Sequence, residues 1–369
     1  MLILFIILGI YLLLQFLLLL DLLTHQDQVT NELPNPLVKV TIMVAARNEE
    51  ENILRCMQAL EQLDYPKSHL QILLGNDQST DATEKIIQNF IADKPHFQLV
   101  NIRENLGVAQ GKANVLAHLA QAADGAFWLV TDADIEVPAR WVQAMCSTQQ
   151  LSNSTNKSVG IVTGFTLVQG TTLFAKMQAI DWVYALGLIK VWSDRGIAVT
   201  AMGNNLGINP EAYQATGGYE HIPFSITEDF ALFQAIVGQG YHFRNLIHPE
   251  VMAFSQPIKT VKGWLHQRKR WMNGALQAPW FLTLFFTLHS SFWPLITMLA
   301  FWHPWWALVL GGAKLGVQSI FMRTLFRRIG RLSLFKYLGL FELYHLVFTW
   351  MMMVFYFWPT KVIWKGRKY

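Results

Sequence analysis

The sequence predicts an α/β protein in which a mostly parallel sheet is flanked by helices, with transmembrane α-helices at both ends of the chain. Two observations predict this architecture. Between residues 38 and 131, β-branched or apolar runs alternate with segments of helical periodicity, which is typical of successive βα units. Almost all acidic residues lie between Asp21 and Glu250, whereas the stretch after Trp280 contains one carboxylate, Glu342. The chain therefore divides into a polar part and an apolar part.

The composition supports a chain that is partly embedded in lipid. Of its 369 residues, 52% are hydrophobic and only 15% are charged, against about 25% charged residues in typical soluble domains. The formal net charge of +4 is modest, and the basic residues after position 257 adjoin apolar segments. Anionic lipid headgroups explain these residues better than nucleic acid does, so we expect no nucleic-acid partner. Cys56 and Cys146 have no metal-ligand spacing around them, which favours reduced thiols.

The first apolar segment, from Leu2 to Leu20, is long enough to cross a hydrocarbon core that needs about 20 helical residues. No Lys or Arg precedes it and no small-residue cleavage site follows, so residues 1–22 are predicted to be a retained anchor rather than a signal peptide. The first basic residues, Lys39 and Arg47, follow this segment. The positive-inside tendency therefore predicts that the N-terminus lies outside and that residues 38–275 form a cytoplasmic domain. We expect an integral protein of the plasma (inner) membrane of a bacterium.

About three further membrane helices are predicted within residues 279–358. The apolar blocks cover about residues 281–300, 305–321 and 337–358. One basic cluster separates the second block from the third, and another lies in the basic tail, residues 359–369. Both clusters cannot be cytoplasmic if a single crossing separates them. Either the third block re-enters or forms a bent hairpin, or one of the three blocks lies in the interface.

The polar part consists of predicted strands that are each followed by a loop and a helix. The predicted strands cover residues 38–45, 71–75, 97–101 and 126–131. The first is followed by the loop 46–51 (ARNEEE) and the second by the loop 76–81 (NDQSTD). Because the carboxyl ends of parallel strands meet at one edge of a sheet, these loops are predicted to line a common ligand site.

The fourth predicted strand ends in Thr131-Asp132-Ala133-Asp134. Two carboxylates one residue apart at the end of a buried strand can both face one cation that prefers oxygen ligands. Mg²⁺ or Mn²⁺ bound by one or two carboxylates and by substrate phosphates fits this pattern. A D-x-D pair can equally be part of a turn or a helix cap, and its position after a buried strand favours the metal site.

Three further motifs lie downstream. Residues 203–205 (GNN) are predicted to form a turn that enters a strand. Residues 227–229 (TED) lead into a helix, so both ordinary helix capping by Thr227 and a general base are open interpretations. Residues 266–271 (HQRKRW) place guanidinium and indole groups before the apolar blocks, as a juxtamembrane belt or as a clamp over a diphosphate.

Taken in order, these motifs resemble those of a known enzyme family. The order is R-N-E-E, D-x-S-x-D, D-x-D, G-N, T-E-D and Q-x-x-R-W. From about Lys39 to Trp271 the chain resembles an inverting glycosyltransferase of family 2 with the GT-A fold. This group includes cellulose, chitin and hyaluronan synthases and the ceramide glucosyltransferases. The resemblance implies transfer of a sugar from a nucleotide donor.

The resemblance also implies roles for individual residues on the donor side. The donor-binding residues that it implies are Ala46, Arg47, Glu49, Asp77, Lys112 and Asp132. Asp77 would read the uracil edge, which favours a UDP-sugar. Asp132 and Asp134 would bind the divalent metal, Mg²⁺ or Mn²⁺, together with the donor diphosphate.

On the acceptor side, Asp229 matches the family's catalytic base, which would deprotonate an acceptor hydroxyl in a single inverting displacement. Gln267, Arg270 and Trp271 match the motif that covers the diphosphate and acceptor ends of the site. The segment from Thr171 to Val191 is similar to the family's interfacial helix beside the acceptor entrance, although it can equally belong to the core.

Sugar transfer to a lipid-like acceptor at the membrane is therefore the expected function, because the apolar sector is short for a polysaccharide channel. A small processive polysaccharide synthase carries the same motifs and is the alternative. A membrane oxidoreductase is a remote alternative, since the first strand is followed by R-N-E-E and not by the dinucleotide-binding motif G-x-G-x-x-G.

Overall fold

The polypeptide forms two units, each made of separate segments of the chain, in a computed structural model that describes residues 2–27, 29–30, 32–152, 158–275, 280–358, 363–364 and 367–368. The α/β unit comprises residues 27–167 and 196–256, and the helical unit comprises residues 1–26, 168–195 and 257–369. The sequence places residues 168–195 and 257–275 in the same predicted domain, 38–275, as the sheet. In the structure, these two segments group with the terminal helices instead.

The strands up to residue 255 are β1 (Val40–Ala46), β2 (Leu70–Asn76), β3 (Phe97–Asn101), β4 (Phe127–Asp132), β5 (Ile135–Glu136), β6 (Val159–Thr163), β7 (Thr166–Val168), β8 (Asn205–Ile208), β9 (His242–Asn245) and β10 (Ala253–Ser255). Seven of them form a sheet with the order β3-β2-β1-β4-β8-β6-β9, and the others form a small sheet with the order β5-β10-β7. In the large sheet only β8 runs antiparallel to its neighbours, β4 and β6. The predicted mostly parallel α/β sheet is therefore confirmed.

The helices, in chain order, are α1 (Leu2–Thr24), α2 (Ile53–Glu61), α3 (Thr83–Ile91), α4 (Lys112–Ala122), α5 (Trp141–Ser152), α6 (Leu173–Asp194), α7 (Pro210–Ala215), α8 (Glu228–Gly238), α9 (Val261–Ala275), α10 (Trp280–Trp302), α11 (Pro304–Arg328) and α12 (Leu338–Phe357). In the α/β unit, α2 shows why such segments are helical. Its buried residues Ile53, Cys56, Met57 and Leu60 recur at positions i, i+3, i+4 and i+7, which form one apolar face.

The core of the α/β unit lies on both faces of the large sheet. Along β1, Ile42 and Val44 belong to one hydrophobic cluster and Met43 to the other, because successive side chains of a strand point to opposite faces. Helices α2 and α5 cover the first face, and α4, α7 and α8 cover the second. Gly75 of β2 lets α4 approach the sheet closely, since a Cβ there would overlap Cγ1 of Val115.

The helical unit packs α1, α10 and α11 around a core of their own. Leu8 and Tyr11 of α1 lie against Phe292 and Leu299 of α10. Within the part of the chain that the structure describes, three helical segments are long and apolar enough to cross a membrane: Leu2–Thr24, Trp280–Trp302 and Leu332–Phe357.

Helix α11, which contains the predicted block 305–321, is not among these three segments. It carries Lys314, Arg323, Arg327 and Arg328 along its length. Lys314 is buried and forms a 2.7 Å ion pair with Glu342 of α12. Of the predicted basic tail, only the two-residue strands β11 (Ile363–Trp364) and β12 (Arg367–Lys368) fall within the described residues, so Lys361 and Lys365 lie outside them.

Candidate active site

The ends of β1, β2 and β4 bring three of the predicted motifs to one edge of the sheet. Ala46 pairs in register with Asn76 of β2, and Ala45 pairs with Asp132 of β4. The loops that follow these strands therefore begin side by side. This is the arrangement that the sequence predicts for a ligand site at the carboxyl ends of parallel strands.

The loops after β1 and β2 are joined by several hydrogen bonds. The amide of Asn48 donates to Oγ of Ser79 (3.1 Å), and the amide of Thr80 donates to Oδ1 of Asn48 (2.8 Å). Asn48 has a φ of 52°, a left-handed conformation that asparagine tolerates better than most residues. The amide of Glu49 donates to Oγ1 of Thr83 at 2.8 Å. These bonds fix the predicted donor residues Ala46, Arg47 and Glu49 relative to Asp77.

Arg47 contacts Asp77 directly. Its Nη1 donates to the backbone carbonyl of Asp77 at 2.9 Å and lies 3.3 Å from Oδ2 of the same residue. The amide of Asp77 donates to the carbonyl of Ala46 at 2.9 Å. Asp77 is buried, with 8% of its surface exposed. The two predicted donor-binding residues therefore form one unit whose carboxylate orientation is set by a guanidinium.

The D-x-D carboxylates lie at the end of β4 beside α2. Arg55 of α2 donates from Nη2 to the carbonyl of Asp134 (3.1 Å) and forms a 2.7 Å ion pair with Glu136. Burial, together with the charge of Asp132, raises the pKa of the Asp134 carboxyl to about 6, although Lys112 and Arg55 partly oppose the shift. Asp134 therefore carries a charge that its surroundings compensate incompletely, which is a common property of functional carboxylates.

Lys112, the first residue of α4, links the D-x-D motif to the T-E-D motif. Its Nζ lies 2.6 Å from Oδ1 of Asp132 and 3.1 Å from Oε1 of Glu228. It also donates to the carbonyl of Gly203 at 3.2 Å. Burial disfavours the charge of this ammonium group, but Asp132, Glu228 and Asp229 raise its pKa above the usual value. Lys112 is therefore a fixed positive charge among the carboxylates of the D-x-D and T-E-D motifs.

Asp229, the predicted base, is held at the start of α8. Its Oδ2 accepts a hydrogen bond from the amide of Gly203 (2.8 Å), and its Oδ1 accepts one from the amide of Phe230 (2.9 Å). Thr227 occupies the N-cap position, but its side chain makes no capping hydrogen bond to the helix. Capping by Thr227 therefore does not explain the T-E-D motif, and the general-base interpretation is retained.

The residues present fit a divalent cation that is shared with a ligand. Within the described ranges, no group of three or more His, Cys, Asp or Glu side chains forms a complete metal cage. Asp132 and Asp134 supply two carboxylates, and burial together with the charge of Asp132 raises the pKa of Asp134, so a cation beside this carboxylate would stabilise its ionised form. Mg²⁺ sites of this kind take their remaining ligands from substrate phosphates and water.

The Q-x-x-R-W residues Gln267, Arg270 and Trp271 lie on α9 of the helical unit. The ring of Trp271 meets the ring of Trp182 on α6 edge to face, with centroids 5.1 Å apart. The guanidinium of Arg268 lies 4.5 Å from the centre of the Trp271 ring and forms an ion pair with Asp181 of α6. Burial raises the pKa of Asp181 and Arg268 opposes that shift. Trp271 is thus an ordered element of the α6–α9 contact.

Three residues of these sites are absent from the sequence-predicted set: Arg55, Glu228 and Arg268. Glu228 lies inside the T-E-D motif and Arg268 inside the Q-x-x-R-W motif, so each residue could have been found from the motif that contains it. Arg55 follows the first loop by a single helical turn. Its contact with Asp134 depends on the packing of α2 against the D-x-D turn, which no local pattern encodes.

The fold is similar to that of glycosyltransferases of the GT-A type. The backbone is similar to that of the mannosyltransferase PcManGT from Pyrobaculum calidifontis, solved with GDP-mannose and Mn²⁺, with a TM-score of 0.60, 19% sequence identity and 97% of each chain covered. The chain belongs to glycosyl transferase family 21, whose family model matches residues 3–369. The predicted resemblance to the ceramide glucosyltransferase group is thereby confirmed.

Curated relatives carry related names. A probable glycosyltransferase, YdaM, from Bacillus subtilis is 29% identical over 245 residues, which are 64% of this chain and 55% of the relative. A beta-monoglucosyldiacylglycerol synthase from Synechocystis is 28% identical over 248 residues, which are 66% of this chain and 49% of that protein. The chain thus spans about half the length of the curated relatives that it matches.

Proposed function

We propose that this chain is a membrane-bound inverting glycosyltransferase that transfers a hexose from a UDP-sugar to a hydroxyl group of a lipid acceptor. The observation that carries this proposal is the gathering of Asp132, Glu228 and Asp229 around Lys112 at the carboxyl edge of the sheet. The combination supplies carboxylates for a metal diphosphate and a further carboxylate for proton removal. Ionisable groups clustered in this way are typical of functional sites.

On the donor side, we propose that Arg47 and Asp77 hold the nucleoside. The Asp77 carboxylate accepts a hydrogen bond from an N–H group of the nucleobase, and Arg47 keeps that carboxylate oriented. Asp132 and Asp134 would hold a Mg²⁺ or Mn²⁺ ion with the diphosphate. When bound, this ion neutralises the charge that develops on the departing nucleoside diphosphate.

In the chemical step, Asp229 removes the proton from the acceptor hydroxyl. The acceptor oxygen then forms a bond with the anomeric carbon while the bond from that carbon to the diphosphate breaks. The nucleoside diphosphate leaves with the electron pair, and the anomeric configuration inverts. The hydrogen bonds from the amides of Gly203 and Phe230 fix the direction of the Asp229 carboxylate before the acceptor arrives.

A lipid acceptor is supported by the chain's apolar helices and by its relatives. Among the described residues, three helical segments are long and apolar enough to span a bilayer, and the relatives from Synechocystis, Nostoc and Trichormus variabilis are named beta-monoglucosyldiacylglycerol synthases. We place Gln267, Arg270 and Trp271 at the diphosphate and acceptor ends of the site. We also place the α/β unit, as the principal part of the catalytic domain 38–275, in the cytoplasm.

The test is release of nucleoside diphosphate by the full-length protein purified in detergent. The panel contains UDP-glucose, UDP-galactose, UDP-N-acetylglucosamine and GDP-mannose, each with Mn²⁺, Mg²⁺ or EDTA, and with or without diacylglycerol or total membrane lipid. We expect metal-dependent UDP release with one sugar and a glycolipid product. Release from GDP-mannose alone would reject the UDP assignment of Asp77, and a long polymer as product would indicate a processive synthase.

A further inference from the structure

Gly203 connects the donor side of the candidate site to the base through its two backbone polar groups. Its carbonyl accepts a hydrogen bond from Nζ of Lys112 (3.2 Å), and its amide donates one to Oδ2 of Asp229 (2.8 Å). The carbonyl of the next residue, Asn204, accepts a hydrogen bond from Oγ1 of Thr131 on β4 (3.0 Å). The loop is thus anchored to the central sheet while it contacts both functional side chains.

Lys112 is itself held from two sides. Its ammonium group lies between Oδ1 of Asp132 at 2.6 Å and Oε1 of Glu228 at 3.1 Å. The Glu228 side chain is 13% exposed and that of Lys112 is 26% exposed. Water therefore screens this ion pair less than it would screen a pair at the protein surface. If the ammonium group moves closer to one of the two carboxylates, it weakens its ion pair with the other. Glu228 therefore prevents Lys112 from moving wholly toward the D-x-D motif.

We propose that Glu228 is a positioning residue for the transfer reaction. It holds Lys112 against the carbonyl of Gly203, so that the amide of Gly203 stays in place to orient the Asp229 carboxylate. In this arrangement Glu228 needs no contact with the substrate, and its effect reaches the base through Lys112 and the Gly203 backbone. The inference rests on the proposed function, in which Asp229 is the base.

Gly203 has no side chain at the point where Asp229 lies closest. A Cβ built there would lie 2.7 Å from Cβ of Asp229 and 2.9 Å from its Oδ2, closer than real Cβ contacts. A Gly203→Ala substitution would therefore move the base carboxylate while leaving Lys112, Asp132 and Glu228 chemically intact. The Gly203→Ala variant therefore tests the contact between Gly203 and Asp229 without a change to Glu228.

The first experiment compares Glu228→Gln with wild type in kcat, in the KM for the nucleotide sugar and in the Kd for UDP with Mn²⁺. We expect kcat to fall by at least tenfold while KM and Kd stay within threefold. The base is misplaced in this variant, whereas the 2.6 Å ion pair of Lys112 with Asp132 and the Arg47–Asp77 contact on the donor side are not removed. Glu211→Gln is the matched control, since Glu211 is an exposed carboxylate in the first turn of α7. A parallel loss of UDP affinity would overturn the inference, since Glu228 would then act on donor binding.

A double-mutant cycle with Lys112→Met tests whether Glu228 acts through Lys112. If it does, Glu228→Gln will change kcat by less than twofold in the Lys112→Met background. If the loss of kcat in the double variant equals the product of the losses in the two single variants, Glu228 acts independently of Lys112, which would overturn the proposal. Glu228→Asp restores the charge but has one methylene fewer, so we expect it to recover only part of the lost kcat.

Gly203→Ala keeps the proposal testable if Glu228→Gln folds poorly. We expect a loss of kcat with an unchanged Kd for UDP, whereas Gly238→Ala, at the other end of α8 where a Cβ would contact nothing within 4 Å, should match wild type. Wild-type protein that consumes no nucleotide sugar would reject the proposed function itself. Wild-type turnover together with wild-type kcat in Glu228→Gln and Gly203→Ala would reject only the positioning role.

Discussion

The guanidinium of Arg47 donates a hydrogen bond to the backbone carbonyl of Asp77 and lies 3.3 Å from the carboxylate of the same residue. One side chain thus fixes both the loop after β2 and the direction of the carboxylate proposed to read the nucleobase. A guanidinium can contact two oxygen atoms at once because its donors diverge in a plane, which the point charge of lysine cannot reproduce.

Arg47→Lys is therefore expected to weaken UDP binding by about tenfold, or about 1.4 kcal/mol, without preventing folding. Isothermal titration of UDP in the presence of Mn²⁺ measures this change. Arg103→Lys is the control, because Arg103 is exposed in the loop that follows β3. Equal UDP affinities in wild type and Arg47→Lys would show that the Arg47–Asp77 contact is not part of the nucleotide site.

Asp229→Asn is expected to abolish transfer while leaving UDP binding nearly unchanged. The amide cannot accept a proton, and general-base catalysis typically contributes about 10²–10⁴-fold to the rate. The variant keeps the shape of the side chain, and its Oδ1 can still accept a hydrogen bond from the amide of Gly203 or Phe230. Turnover comparable with wild type would remove Asp229 from the mechanism.

Asp134→Asn separates a metal-binding role from a structural one. Outer-shell substitutions at metal sites typically weaken affinity by about 10–100-fold, so loss of a direct ligand should lower Mn²⁺ affinity by at least tenfold. Burial and the charge of Asp132 raise the pKa of Asp134, so its ionised form is less stable in the folded protein than in water. The thermal midpoint in EDTA at pH 8 should therefore be equal to or above that of wild type.

The two readouts for Asp134→Asn are independent. Mn²⁺ affinity is measured by isothermal titration in the presence of UDP, and stability is measured by thermal unfolding in EDTA. Asp93→Asn serves as the control, because the Asp93 side chain is 83% exposed. A lower thermal midpoint with unchanged Mn²⁺ affinity would show that the D-x-D turn has a structural function.

The strands and the position of the D-x-D residues at the end of β4 could be predicted because their signals are local. The observed β1, β2, β3 and β4 begin and end within two residues of the predicted strands, since apolar runs bounded by polar loops encode both the element and its end. Asp132 and Asp134 follow directly from the end of β4. Parallel pairing then brings the separate loops together without further information.

The contacts between distant segments could not be predicted in the same way. Lys112 and Glu228 meet only because α4 and α8 pack on the same face of the sheet. The grouping of α6 and α9 with the terminal helices also depends on tertiary packing, such as the contact of Trp271 with Trp182. Neither helix is a candidate membrane span by length and composition. The sequence indicated an interfacial helix from Thr171 to Val191 and a juxtamembrane belt at residues 266–271, each beside an alternative interpretation that the local sequence does not exclude.

The ion pair between Lys314 and Glu342 gives the last prediction. Lys314 of α11 is buried, and its Nζ lies 2.7 Å from Oε2 of Glu342 on α12. Nε1 of Trp293 on α10 donates to the same oxygen at 3.0 Å, and Nε2 of Gln318 donates to Oε1. One carboxylate therefore ties three helices together. Lys314→Met should destabilise the protein by about 3–5 kcal/mol, because it leaves a buried charge without its partner.

The thermal midpoint of the detergent-purified protein, followed by tryptophan fluorescence, measures this effect. Replacing both partners, with Lys314→Met and Glu342→Leu together, should recover most of the lost stability, since apolar side chains of similar size can substitute for a buried ion pair. Arg323→Met on the same helix is the control, because Arg323 is exposed. If the double variant is less stable than Lys314→Met, then Glu342 holds the three helices mainly through Trp293 and Gln318, and the pairing with Lys314 is secondary.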